Sequence, residues 1–359
     1  MSFRKRRVLM MTPLYIIFEF FLLKYLFLLF YPLDDLTIAL MALILGLMNV
    51  GSMLLELKKS RFITRLLTEI FAIWIWASMM YLIELVIIYS VSIFFQLDYT
   101  LVLIILALVP IIGVYAYWKA HNLVVNERTI ELDNLTKEVN VVHLSDVHFG
   151  AVRYKKIIRQ LADTLKTLED SCEVAIISGD MADGSSVVLE DDFMPLSEVN
   201  MPIIFTPGNH DYYIGLENVK KACRKAGIIV LDNESTQIGD LNIYGLAYSF
   251  DDINAPGIDE LKGEIKNDKT NIMIYHVPYL WEEHSKAGFD IQLSGHTHGG
   301  QFHPATWFCR LLYGYNRGLF KDERGHYMHV TTGVGSMDQP MRWGTDSEVV
   351  ILRLKHALV

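Results

Sequence analysis

Apolar residues fill the first third of the chain almost without interruption. Val8 to Leu33 is apolar apart from Glu19 and Lys24. Leu36 to Leu55 is an unbroken span matching the ~20 residues that a bilayer core requires. Leu66 to Phe95 is longer and carries Glu69 and Glu84, and Leu101 to Trp118 makes a fourth span containing Pro110. The first span is too long for a signal peptide, lacks a small-residue cleavage site and is followed by three more, so it reads as a membrane helix. The pattern predicts four transmembrane helices within residues 1–120. Glu19 and Lys24 are placed to pair inside the bundle, and Glu69 lies near enough to a helix end to reach the interface.

Past residue 120 the pattern changes to short apolar runs between polar ones. Residues 121–137 read as a polar connector. Val139–Leu144, Val174–Ser178, Pro202–Thr206, Ile228–Leu231 and Leu241–Leu246 read as strands, as do Asn271–Tyr275, Asp290–Ser294, Tyr327–Thr331 and Glu348–Leu354. Lys155–Glu169, with Ile157, Ile158, Leu161, Leu165 and Leu168 on one face, reads as an amphipathic helix, and Leu216–Ala226 as another. Strands alternating with helices predict an α/β layered domain over residues 138–359, with its site at strand ends.

Charge divides where the pattern does. The first 120 residues carry a net +3 and the rest −12, together the −9 of the whole chain. An acidic α/β part excludes nucleic acid as a partner, because phosphate backbones require a basic footprint. Arg4 to Arg7, Lys58, Lys59, Arg61 and Arg65 flank one set of helix ends, while the connections at 32–35 and 96–100 hold no basic residue. Basic residues concentrate on the cytoplasmic side, so the N-terminus and the α/β domain are expected there, on a multi-pass protein of the cell membrane. Cys172, Cys223 and Cys309 are scattered and fit a reduced compartment rather than a disulfide framework.

The candidate chemistry sits where strands end. Val141-Val142-His143-Leu144 empties into Ser145-Asp146-Val147-His148; an Asp and a His two apart in extended chain share one side and one ion. Ser178-Gly179-Asp180, Pro207-Gly208-Asn209-His210-Asp211, Tyr275-His276-Val277-Pro278 and Gly295-His296-Thr297-His298-Gly299 follow four further strands. One histidine at a strand end is usually a surface or core residue. Five clusters of Asp, Asn or His flanked by Gly or Pro build one metal site.

In that order and in full, Asp146-x-His148, Gly179-Asp180, Gly208-Asn209-His210-Asp211, His276 and Gly295-His296-x-His298 resemble the calcineurin-like metallophosphoesterases. The resemblance covers roughly residues 140–354. The tail through Thr332-Gly333-Val334-Gly335 is similar to the membrane-associated branch, which includes membrane-bound phosphohydrolases of lipid-linked nucleotides. It implies an αββα sandwich beside the helical bundle. It further implies that Asp146, His148 and His298 hold one divalent ion, that Asn209, His276 and His296 hold a second, and that Asp180 bridges them. His210 is then the catalytic residue, protonating the leaving oxygen or stabilising phosphoryl charge.

The donor set agrees independently. Carboxylate, amide oxygen and imidazole suit manganese, iron or zinc and exclude a thiolate cluster or an all-oxygen calcium cage; manganese is the expected ion, with iron or zinc as alternatives. Two such ions activate a water as hydroxide and clamp an in-line displacement at phosphorus. Asp211 reads either as the residue that orients a histidine or as a cap for the next segment. Phe302 to Tyr313 is unusually aromatic for a loop beside a metal site. It reads either as a covering flap or as an interfacial segment with Arg310 and Arg317 at the headgroups; Met337 to Trp343 is placed to line the same groove.

The sequence thus predicts a membrane-anchored dinuclear phosphohydrolase acting on a phosphoester or pyrophosphate, with the bilayer as partner and a lipid-linked phosphorylated substrate. The competing reading is a transporter or channel carrying a regulatory phosphoesterase-like domain.

Overall fold

The computed structural model describes residues 3–133, 135, 137–249 and 256–357; Asn134 and Thr136 of the expected connector lie outside them. Four helices lead, each long and apolar enough to cross a membrane: α1 (Phe3–Leu28), α2 (Asp35–Lys58), α3 (Phe62–Ser92) and α4 (Tyr99–His121). The connections without basic residues supply the caps. Asp34 accepts from the Thr37 amide at 3.0 Å and Asp98 from the Thr100 amide at 2.8 Å, satisfying amides that a helix start leaves open. The expected Glu19–Lys24 pair does not form. Lys24 reaches Asp35 at 2.8 Å, while buried Glu19 accepts from the Ser78 hydroxyl at 2.9 Å. Glu69 accepts from the Tyr117 hydroxyl at 2.7 Å.

Beyond α4 the strands and helices alternate. The strands are β1 (Leu123–Leu132), β2 (Val139–Leu144), β3 (Val174–Ile177), β4 (Ile203–Phe205), β5 (Ile229–Val230), β6 (Glu234–Ile238), β7 (Leu241–Leu246) and β8 (Thr270–Tyr275). β9 (Ile291–Ser294), β10 (Gly318–Lys321), β11 (Tyr327–Val330) and β12 (Ser347–His356) complete them. The helices are α5 (Tyr154–Lys166), α6 (Leu216–Lys225), α7 (Ile258–Gly263), α8 (Trp281–Ala287) and α9 (Ala305–Leu312).

Two six-stranded sheets face each other, ordered β1-β12-β2-β3-β4-β5 and β10-β11-β9-β8-β7-β6. The period of two decides which side chains meet. Val141, Ile176 and Ile204 point inward against Ile243, Ile274 and Leu293 of the other sheet. Val142, Leu144 and Ile177 point outward under Ile158 and Leu161 of α5 and Val219 of α6. Tyr244, Met273 and Tyr275 lie on the far face with Leu261 of α7 and Ala287 of α8. Each fully buried aliphatic contributes roughly 1.5–3 kcal/mol of transfer free energy, so this layering carries the sandwich. The order is αββα, as expected.

One stretch departs from its sequence reading. Leu123–Leu132, inside the expected connector, is the edge strand β1, parallel to β12 over ten residue pairs, Leu123 opposite Ser347 through Leu132 opposite His356. Its Asn126, Glu127, Arg128 and Glu131 made it look like a linker. Polar side chains are what an edge strand needs on its open side, while Ile130 and Leu132 face the core. No linker therefore separates α4 from the sheet.

The sandwich is fastened to the helices. Ser186 donates its hydroxyl to the Glu56 carboxylate of α2, and the Arg153 guanidinium donates to the Ala120 carbonyl of α4 at 2.9 Å. Arg65 of α3 lies over the Tyr154 ring at 4.4 Å. Phe302 and Met341 pack with Trp76 of α3 and Ala116 of α4.

Candidate metal centre

The strand ends converge. β2, β3 and β4 are mutually parallel, as are β8 and β9, so their C-terminal ends meet along one rim between the sheets. Asp146 and His148 follow β2, Asp180 follows β3, Asn209 and His210 follow β4, His276 follows β8, and His296 and His298 follow β9. All are buried except His210 and His296, which are half-buried.

Two clusters form there. Asp146 Oδ1 lies 3.2 Å from His298 Nε2 and 3.5 Å from His148 Nε2, and those two nitrogens are 3.0 Å apart. In the second cluster His296 Nδ1 is 3.0 Å from Asn209 Oδ1, and His276 Nε2 is 3.1 Å from Asp180 Oδ2. That same Asp180 oxygen is 3.8 Å from His148 Nε2, so one carboxylate lies between the groups. The orienting bonds leave the correct atoms inward. His276 Nδ1 is 2.8 Å from the Ser178 carbonyl, and the Asn209 amide donates to the Tyr213 hydroxyl at 3.2 Å. His210 Nδ1 is 3.0 Å from the Asp183 carbonyl, which leaves Nε2 for the site.

The expected same-side Asp-x-His in extended chain is not what is found. Asp146 and His148 have φ of 51° and 50°, in the left-handed region, as do Asp180 at 54°, His296 at 69° and His298 at 50°. Such conformations cost roughly 1–3 kcal/mol each and survive where the surroundings over-determine them. Glycine makes the crowding possible. A Cβ at Gly295 would sit 2.1 Å from Ser145 Oγ and 2.3 Å from Asp146 Oδ2.

Asp211 does not orient a histidine. Its carboxylate accepts from the backbone amides of Asp180 at 3.0 Å, Ala182 at 2.9 Å and Gly208 at 2.8 Å, tying the β3 and β4 loops together. Burial, reinforced by the Asp180 charge, pushes its carboxyl up to about 7. Arg342 escaped the sequence reading. A lone arginine between Met341 and Trp343, wholly buried, it donates to the carbonyls of Thr332 at 2.7 Å and Gly335 at 2.5 Å and comes within 3.3 Å of His298 Nδ1. A charged residue amid apolar neighbours was the available signal.

The residues fit divalent ions. Asp146 Oδ1 and His276 Nε2 are buried without an aligned hydrogen bond. Ligand atoms of Asp146, His148 and His298 lie within 4.8 Å of one another, as do those of Asp180, His276 and His296. Burial pushes His298 and His296 down to about 4, so both imidazoles are neutral with lone pairs at pH 7. Burial alone would raise Asp146, but the His298 and His148 imidazoles outweigh it and hold the carboxyl well below its ordinary range. The carboxylates of Asp146 and Asp180 instead outweigh burial at His148, which is raised, and at His276, which is pushed up to about 9, so those two carry protons that a bound cation would displace.

A family model of calcineurin-like phosphoesterases matches residues 139–300. An uncharacterized metallophosphoesterase of Aquifex aeolicus is 30% identical over 259 residues, 68% of this chain and 97% of that protein. The chain belongs to the calcineurin-like metallophosphoesterases. That family uses a dinuclear metal centre, and the clusters here offer candidate ligands for one. An uncharacterized metallophosphoesterase of Helicobacter pylori is 30% identical over 239 residues, 64% of this chain but only 63% of its own length. A transmembrane protein with a metallophosphoesterase domain from Bos taurus is 27% identical over 243 residues, 61% of this chain and 53% of that one. A membrane-associated metallophosphoesterase accords with the four apolar helices.

Proposed function

We propose that this metallophosphoesterase hydrolyses a phosphoester or pyrophosphate bond of a lipid-linked substrate, with residues 1–120 anchoring a cytoplasmic catalytic domain that begins at β1. The observation that carries the hydrolytic reading is the Asp180 carboxylate lying between two sets of ligands. Asp146, His148 and His298 would hold one ion and Asn209, His276 and His296 the other, with Asp180 touching both. When bound, the ions supply Lewis-acid polarisation of the phosphoryl centre and lower the pKa of water, manganese being the candidate among the metals that these donors suit.

The chain's own groups do the rest. His210, fixed through Nδ1 by the Asp183 carbonyl, presents Nε2 to the leaving oxygen and gives it a proton. The Asp180 carboxylate also accepts from the His210 amide at 2.8 Å, which sets the distance between acid and ions. Asp211 holds the loops bearing Asp180 and Asn209 in one register.

Support for a cytoplasmic domain is the basic flank of α2 and α3, whose Arg65 meets Tyr154 of the sandwich. Support for a lipid-linked substrate is a site joined to membrane helices without a linker, beside α9. That segment, expected as a loop, is a helix whose Trp307 and Leu311 are 68% and 82% exposed. Product analysis of the purified full chain with Mn²⁺ against nucleotide, diester and lipid-pyrophosphate panels tests the proposal. Turnover confined to water-soluble nucleotides would refute the lipid reading.

A further inference from the structure

A cavity of about 530 Å³ opens between α1, α2 and α3, and one end of it is formed by His210 and Tyr213. Its size falls within the roughly 300–1,000 Å³ of ligand pockets. Met11 and Tyr15 of α1, Val50 and Met53 of α2, and Ala72 and Ile75 of α3 line it. Those positions occupy the halves of the helices nearest the sandwich. Its two wall threonines turn their hydroxyls away. Thr12 donates to the Val8 carbonyl and Thr68 to the Thr64 carbonyl, each at 2.8 Å, so both present carbon to the interior. Met11 and Leu14, 53% and 59% exposed, stand where the cavity faces the bilayer. Asp338 and Gln339 of the sandwich complete the end beside His210.

We infer that this cavity receives the hydrocarbon chain of the substrate, and that the chain is carried by the leaving group. The inference rests on the hydrolytic reading above and deepens it by naming where and how the lipid lies. Three observations carry it. The cavity sits inside helices of membrane-spanning length, its helical lining is mostly apolar with Thr12 and Thr68 bonded to backbone, and it ends on His210, the proposed acid. A long chain finds near-continuous carbon contact in such walls, whereas a polar substrate finds only Asn49 and Tyr15 on the helices. In the step itself, an oxygen from water bonds to phosphorus and the bond from phosphorus to the chain-bearing oxygen breaks. That oxygen takes its proton from His210. The chain-bearing product is left in the cavity with a lateral route to the bilayer, and the other phosphoryl product is left on the water side. The aromatic α9 then serves to seat the domain at the interface and does not hold the chain.

The test uses the full chain in lipid nanodiscs with Mn²⁺ and a series of alkyl monophosphates from ethyl to hexadecyl. The kcat/KM is expected to rise at least about tenfold with chain length, as burial of methylenes requires, and Met53→Trp is expected to collapse the hexadecyl-to-ethyl ratio toward one. A hexadecyl phosphate bearing a mid-chain diazirine gives a readout that needs neither turnover nor a variant. Labelling of residues 8–18 and 49–53 supports the inference. Equal kcat/KM along the series overturns it, as does labelling confined to α4 or to residues 305–312. Failure to cleave even bis(p-nitrophenyl) phosphate would instead sink the hydrolytic reading, while the labelling would still decide the cavity.

Discussion

The Nδ1 atoms of His143 and His329 face each other at 2.7 Å across the gap between the two sheets. One must donate and the other accept, so the accepting ring is neutral and the two cannot both carry a proton on Nδ1. Burial pushes His329 down to about 4 despite Glu348, with Arg128 adding to the fall; it drives His143 well below its ordinary value, helped by His329 and opposed by Asp146. Both pKa values are depressed relative to the unfolded chain, so the unfolded state takes protons first as pH falls below about 6.5. Stability is therefore full above that pH and drains toward pH 4, by up to ~1.4 kcal/mol per pH unit for each histidine. Thermal unfolding of chelated protein at pH 7 and pH 5 should show the loss, and His329→Gln should flatten it. An unchanged slope in the variant would reject the pair as the cause.

Asp180→Ala should remove hydrolysis and metal together, because the one carboxylate is placed to touch both ions. His210→Ala should keep its metal and lose about 10²–10⁴ in kcat, the usual share of a general acid. Elemental analysis checks both, and full metal content in the Asp180 variant would break the assignment.

Asp211→Ala should destabilise the domain by several kcal/mol, since three buried amides each lose their side-chain acceptor at ~1–3 kcal/mol. Denaturant titration measures it. A variant as stable as the parent would mean that the loops are held by something else.

Both termini should face the cytoplasm, because basic residues flank one set of helix ends and are missing from the other. Reporter fusions at each terminus decide it; a C-terminal fusion active only outside the cytoplasm would invert the topology.

Trp307 should sit at headgroup depth. Its ring is exposed on α9 with Phe308, Leu311 and Leu312, next to Arg310. Brominated lipids should quench the parent's fluorescence more than that of Trp307→Phe, and equal quenching would leave α9 in water.

Much of this was legible in the chain. The rim residues announced themselves because metal-binding side chains, Gly and Pro recur where apolar runs stop, and four spans of bilayer length leave little choice of architecture. What stayed hidden depends on distant partners. β1 looked like a tether because its outward side chains are polar. Lys24 met Asp35 rather than Glu19 because the helix pairing sets the neighbour. Asp211 bonds the amides of Asp180 and Ala182, which local sequence does not bring near, and the left-handed φ of Asp146 and His148 is imposed by loops from other strands. The hollow among α1, α2 and α3 belongs to no single segment.

The junction of α4 with β1 bears on how the catalytic half is to be produced alone. A truncation starting at residue 138, where composition places the boundary, would discard β1 and lay bare the whole length of β12. Ten residues of open strand edge invite pairing with a second copy. A soluble version should begin at Leu123 or earlier, with charges added where Arg153 and Arg342 now meet the backbone of α4.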